Sequence, residues 1–185
     1  QVAFLNHGSF GATPREVFDE YQEIQRRFES NPVEHHLRQF NDHMRTARTD
    51  LAGFVNADPL DLVFTTNATV AMNIVARSID LSANDEILTT DHEYGACDRM
   101  WGLLEEAHGF STRRISLPLP LPTDDEIVEA IVGGMNDRTR LLFISHITSP
   151  TAVILPVERL CKAARERGIL TVVDGAHAIG HVPLD

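Results

Sequence analysis

Four groups of chemistry-bearing residues punctuate this chain, and each follows a short apolar run. Asp174 closes the run Ile169-Leu170-Thr171-Val172-Val173 and is followed by His177 and His181. Thr65-Thr66-Asn67-Ala68-Thr69 follows Leu62-Val63-Phe64, and Asp91-His92-Glu93-Tyr94-Gly95 follows Glu86-Ile87-Leu88-Thr89-Thr90. Ser145-His146-Ile147-Thr148-Ser149-Pro150 follows Leu141-Leu142-Phe143-Ile144. A carboxylate that has just left a packed layer is still partly desolvated and needs a cation or hydrogen-bond donors. Hydroxyls and open N–H groups where a helix begins suit an anion, most often phosphate, although Asn67 or Thr69 could act there as a simple N-cap. An imidazole such as His92 can stack on a flat ring or move protons. Residues 65–69 lack the glycines of a Walker loop or a GxGxxG turn.

The elements that position these groups can be read from periodicity. Ile169–Val173 is β-branched and does not alternate, the pattern of a parallel strand buried on both faces. Further strands are expected at Leu62–Thr65, Glu86–Thr90, Thr112–Ile115 and Leu141–Ser145. Between them, helices are expected at about Ala68–Ile79, Gly95–His108 (ended by Gly109), Asp124–Val132 (N-capped by Thr123) and Val157–Arg167 (closed by Gly168). Strands alternating with helical crossovers give an α/β fold, a three-layer αβα with a mainly parallel sheet. Pro118, Pro120 and Pro122 make a short stiff connector within it. Ahead of it stands an N-terminal helical arm. Phe4–Pro14 is irregular, a helix enters at about Pro14 with Thr13 as N-cap and runs to about Glu29, and a second runs from about Val33 to Val55. The expected division is residues 1–56 for arm and helices and 57–185 for part of a larger domain. The chain starts without Met and stops just after Val182-Pro183, which reads as a piece of a longer protein with an incomplete domain.

If the strands are parallel, all four groups gather at their carboxyl ends, where open α/β sheets bind ligands. A phosphate cradle, an imidazole, hydroxyl donors and one sequestered carboxylate suit a planar, phosphorylated heteroaromatic cofactor whose protonated ring nitrogen faces Asp174. Pyridoxal 5′-phosphate has those features, and an acidic partner to its nitrogen makes it an electron sink.

Charge narrows the partners. With 27 acidic against 16 basic side chains and a net charge of -11, nucleic acid and anionic membrane surfaces are disfavoured. No apolar run approaches the roughly 20 residues of a membrane span. Cys97 and Cys161 fit no disulfide framework or zinc spacing and read as small hydrophobes of a cytoplasmic protein. His35, His36 and His43 read as solvated surface histidines.

The segments LNHGSFGATP, TTNATVAMN, TTDHEYGA, SHITSPTAVILP and VVDGAHAIGHVPLD, in that order, resemble the class V aminotransferase-like, fold-type I pyridoxal-phosphate enzymes. Within them the chain is most similar to the isopenicillin N epimerase-like branch, with cysteine desulfurases and sulfoxide lyases as relatives. The resemblance implies roles residue by residue. Asp174 pairs with the pyridine nitrogen, His177 approaches the phenolic oxygen, and His92 stacks on the ring. Asn67, Ala68 and Thr69 hold phosphate, and Thr148 or Ser149 stands where many relatives use an Asn near the ring oxygen. Asn6 and His7 border the substrate. It also implies a homodimer acting at the α-carbon of an amino-acid substrate, by epimerisation or by elimination of a sulfur group as in a desulfurase or C–S lyase.

Such an enzyme needs a Schiff-base lysine. The single lysine here, Lys162, lies in the Val157–Arg167 helix among arginines and reads as a surface ammonium. The resemblance puts the catalytic lysine beyond Asp185, so no catalytic residue is assigned within the chain. It also puts two later strands between the first strand and the strand ending at Asp174. Residues 1–185 alone are therefore expected to fold poorly, an expectation that a cooperative thermal transition would refute. Two other classes compete. Asp174, His177 and His181 form D-x-x-H-x-x-x-H, and on a helix the two histidines would share a face and could hold iron or zinc in a hydrolase or oxygenase. A binding or scaffold domain without catalysis is the third.

Overall fold

The structure is a computed structural model in which residues 3–120 and 122–184 are described. Gln1, Val2, Leu121 and Asp185 lie outside them, as do the side chains of Gly8 and Ser9. Two compact units are resolved, divided between Val63 and Phe64, with Leu184 belonging to the first and Phe64–Pro183 forming the second.

The first unit is helical. The arm contains one short turn of helix, α1 (His7–Phe10), where only irregular chain was expected. Helix α2 (Arg15–Ser30) has Pro14, not Thr13, as its N-cap, and no side chain caps it, since proline's ring has no acceptor to offer. The second helix is not uniform. A π-helical stretch, Glu34–Gln39, precedes α3 (Phe40–Val55), and Asn56 ends α3 in the left-handed conformation. His35 and His43 stack with ring centroids 6.2 Å apart, and Phe28 lies 5.1 Å from the rings of both His35 and His36. His36 and His43 are exposed, as expected of solvated histidines, while His35 is half-buried against Phe28. A 3₁₀ turn, Pro59–Asp61, follows, capped by the Asp58 side chain.

The second unit is an all-parallel, four-stranded sheet in the order β2-β1-β3-β4, with β1 Glu86–Thr90, β2 Ser111–Ile115, β3 Thr139–Ser145 and β4 Leu170–Asp174. Both faces are covered. Ile87, Leu141, Phe143 and Val172 point to one side, against α4 (Ala68–Ser78) and α5 (Gly95–His108). Leu88, Leu142 and Ile144 point to the other, against α6 (Asp124–Gly134) and α7 (Val157–Glu166). Successive strand residues feeding opposite layers explain why these strands read as unbroken apolar runs. Helix α5 presents Cys97, Met100, Trp101 and Leu104, spaced i, i+3, i+4 and i+7, all buried against the sheet. Thr123 and Glu126 form the reciprocal capping box that starts α6. A Cβ at Gly134 would come within 2.8 Å of Ile115 Cδ1, so this glycine sets how closely α6 approaches the sheet.

Two strand expectations are corrected. Leu62–Thr65 pairs with nothing among the described residues, and Val63 is 83% exposed. An extended apolar run becomes a strand only where a neighbouring backbone takes its hydrogen bonds. And β4 is an edge strand rather than one buried on both faces. It pairs with β3 alone, and Leu170 remains 51% exposed.

Candidate functional site

The register between β3 and β4 sets Ser145 beside Asp174 at the carboxyl ends of the two strands. Both continue the alternation of Phe143 and Val172, so their side chains fall on the layer covered by α5. Asp174 is buried. Its Oδ1 accepts the N–H of Ala176 at 3.0 Å, and the Cys97 thiol, in the first turn of α5, donates to Oδ2 at 3.8 Å. Among the described residues Asp174 forms no ion pair with any Lys, Arg or His. This is a buried carboxylate without a cation, the condition that calls for a positively charged ligand atom.

Beside it lies a second buried acid, Glu93, in the turn between β1 and α5. The hydroxyls of Thr90 and Ser145 each lie 2.6 Å from one of its carboxyl oxygens. Burial raises the Glu93 pKa above the ordinary carboxyl range, the negative charge of Asp174 pushes the same way, and the hydroxyl bonds only partly oppose this. Burial, with the charge and hydrogen bond of Asp174, drives the Cys97 thiol up to about 12, so it remains an S–H donor.

His92 is buried at the end of β1 and both ring nitrogens are engaged. Nε2 lies 2.9 Å from the Leu117 carbonyl, which can only accept, so Nε2 carries hydrogen. In the neutral imidazole Nδ1 then accepts from Thr151 Oγ1 at 2.9 Å. Thr151 in turn accepts from Thr148 Oγ1 at 2.7 Å, and Thr148 accepts the N–H of Val153 at 2.9 Å. The loop that carries this relay is tight: Ala152 has φ 55 and gives its N–H to the Thr148 carbonyl at 2.9 Å. An imidazole with both nitrogens spent has its plane fixed and no free nitrogen for proton transfer. Of the two chemistries open to His92 from sequence, this geometry favours stacking. Asp91 anchors the other side, accepting from Ser116 Oγ at 2.7 Å and Leu117 N–H at 3.0 Å; burial raises its pKa, but these bonds and nearby His92 outweigh that and hold it low.

At the start of α4, Asn67 is the N-cap, its side chain accepting from Val70 N–H at 2.9 Å while its carbonyl takes Ala71 N–H. The N–H groups of Ala68 and Thr69 are left as the open donors of the first turn, where the helix dipole favours an anion. Thr148 is buried with its hydroxyl committed to the loop, and Ser149 is exposed. His177 lies in the turn that follows β4 and is half-buried. Asn6, the N-cap position of α1, and His7, edge-on to Phe4 at 4.8 Å, belong to the first unit and are both exposed.

The metal alternative is corrected here. Residues 176–181 form turns apart from Ile179, which bridges to Val182, and Gly180 has φ 81, so His177 and His181 do not share a helical face. Among the described residues no group of three or more His, Cys, Asp and Glu could hold a metal ion.

Glu93, Cys97 and Thr151 were not singled out by sequence. Glu93 stood one residue from His92 at a strand end, and Cys97 shared the helical spacing of the α5 core face, which was the available signal.

Residues 4–185 match the family model described as aminotransferase class-V. The chain belongs to the class-V aminotransferase family. Within it, the chain is 45% identical over 187 residues to isopenicillin N epimerase of Amycolatopsis lactamdurans, a match that covers all of this chain and 47% of that protein. It is 33% identical over 199 residues to L-cysteine desulfhydrase of Arabidopsis thaliana, covering all of this chain and 44% of that protein. Among solved structures, a mutant of C-DES with glycine covalently linked to its PLP cofactor superposes with a TM-score of 0.86 at 24% identity, covering 98% of this chain and 49% of that one. The chain thus spans less than half the length of these proteins, and the last likeness concerns the fold alone.

Proposed function

We propose that this chain is the amino-terminal part of a pyridoxal-5′-phosphate-dependent enzyme that acts at the α-carbon of an amino-acid substrate, in the manner of isopenicillin N epimerase. The observation that carries the reading is Asp174, a buried carboxylate at a parallel strand's carboxyl end that meets only neutral donors. When bound, the cofactor would supply an electron sink for charge developing at the substrate's α-carbon. Asp174 would hold the proton on its ring nitrogen. His92, clamped by Leu117 and Thr151, gives the ring a rigid flat neighbour. Ala68 and Thr69 offer backbone N–H groups to the phosphate, with Asn67 fixing the turn. His177 would approach the phenolic oxygen, with Thr148 or Ser149 near it. Asn6 and His7 border the substrate. The lysine that bonds the cofactor lies beyond Asp185.

The proposal extends to a division into arm and helices (1–56) and part of the cofactor domain (57–185), to a homodimer, and to the cytoplasm. Exposed apolar side chains such as Ile74 support association, and two free thiols suit a reducing compartment. A second reading, C–S lyase or desulfurase, is supported by the desulfhydrase relative. The intact protein, loaded with pyridoxal phosphate, should exchange the α-proton of isopenicillin N for deuterium in D₂O and invert that centre. Sulfide release from L-cysteine without such exchange would favour the second reading, and failure to bind the cofactor would end both.

A further inference from the structure

Glu93 and Asp174 form a buried acidic pair whose surroundings differ in kind. Around Asp174 the partners are Ala176 N–H, which can only donate, and the Cys97 thiol, which donates to Oδ2. Such a setting suits an anion. Around Glu93 the partners are two hydroxyls, Thr90 Oγ1 and Ser145 Oγ, each 2.6 Å away and each able to accept as well as donate, together with the Ser145 backbone N–H, which a carbonyl oxygen of the neutral acid accepts equally well. A neutral acid is fully satisfied there, its carbonyl oxygen accepting from one hydroxyl and its O–H donating to the other. The charged or titratable groups that face Glu93 are Asp174 from β4 and Cys97 from α5, while β1 and β3 contribute the two hydroxyls and the uncharged Ser145 backbone N–H. Among the described residues no cation is paired with either acid. Two negative charges side by side in this layer would each lack compensation, whereas one charge placed on Asp174 meets all its donors.

We propose that Glu93 is a positioning residue held as a neutral carboxylic acid beside Asp174, which confines the negative charge of the pair to the carboxylate that meets the ligand. Its charge state is independent of what the ligand is, and its role in cofactor binding rests on the pyridoxal-phosphate reading.

Infrared difference spectra of the intact apo-protein at neutral pH test the charge state. The carbonyl band of a buried neutral acid is expected in the wild type and in D174N, and is expected to vanish in E93Q. Absence of the band, or its loss in D174N but not E93Q, overturns the proposal. Titration with pyridoxine 5′-phosphate, which cannot bond a lysine, tests the role. Gln reproduces the shape, neutrality and hydrogen bonding of the acid, so E93Q is expected to bind within about threefold of wild type while E93A binds at least tenfold more weakly. A tenfold loss in E93Q means that Glu93 contributes a charge, and overturns the proposal. A wild type that shows the band but binds no pyridoxine phosphate upholds the neutral acid and removes the cofactor reading instead.

Discussion

Replacing Asp174 by Asn separates the ligand role of this carboxylate from any role in folding. The side chain meets Ala176 N–H at 3.0 Å and the Cys97 thiol at 3.8 Å and, among the described residues, no cation. Asn keeps an oxygen for the Ala176 N–H. Weakening a hydrogen bond to a charged acceptor into one to a neutral acceptor costs about 1 kcal/mol. Removing a buried uncompensated charge next to Glu93 offsets a similar amount. Stability should therefore change by no more than about 1 kcal/mol, or roughly 2–4 °C in Tm for a chain of this size. Binding should respond quite differently. Losing one member of a buried charge pair costs about 2–5 kcal/mol. At 1.36 kcal/mol per decade this is about a 30- to 5,000-fold weaker Kd for pyridoxine 5′-phosphate. Circular-dichroism melting and equilibrium titration of the intact apo-protein measure the two quantities. Binding within threefold of wild type, or a Tm more than 10 °C lower, would refute the reasoning, in the second case because Asp174 would be structural.

Three other substitutions probe the supports. Glu86 is buried with Arg113 at 3.2 Å, Arg138 at 3.5 Å, Asn136 Nδ2 at 2.9 Å and Thr139 Oγ1 at 3.1 Å, and since both arginines are partly solvated, Glu86→Ala should cost about 1–3 kcal/mol in chemical denaturation, mainly from the donors left unpaired. Burial acts to raise the Glu86 pKa, but the bonds from Arg113, Thr139 and Asn136 hold it below 4.5, so its contribution is present above pH 4.5 and is lost as acid protonates the folded state; Glu86→Gln should flatten that acid limb. The Cys97 thiol, raised from 9.0 to about 12, contributes fully below pH 9 and progressively less as pH climbs through about 12. Cys97→Ala should remove that alkaline decline, and native thiol titration at pH 8 should modify Cys161 while Cys97 stays unreacted. Thr151→Val leaves His92 Nδ1 without its donor and should cost about 1–3 kcal/mol in thermal stability, with weaker cofactor-analogue binding as the ring loosens.

What was legible in the sequence was whatever short-range periodicity encodes. The apolar runs at Glu86–Thr90 and Leu141–Ser145, the N-cap Thr123, and the left-handed glycines Gly109 and Gly168 stand where local chemistry puts them. Sheet neighbours were not legible, because hydrogen-bond partners lie far along the chain. Leu62–Thr65 has a strand's composition but no partner, and β4 has a central strand's composition but an edge strand's exposure. The site divides in the same way. Asp174 and His92 announce themselves as polar residues ending apolar runs. Glu93, Cys97 and Thr151 matter through contacts that span 52, 77 and 59 residues, to Ser145, Asp174 and His92, and no local pattern reports those.

The most direct measurement of the central claim is the ¹⁵N NMR shift of pyridoxal phosphate labelled at the ring nitrogen and bound to the intact protein at pH 8. A carboxylate dedicated to holding that proton predicts the shift of a protonated pyridine in the wild type and of an unprotonated one in Asp174→Asn. An unprotonated ring in the wild type, or the same shift in both proteins, would contradict it.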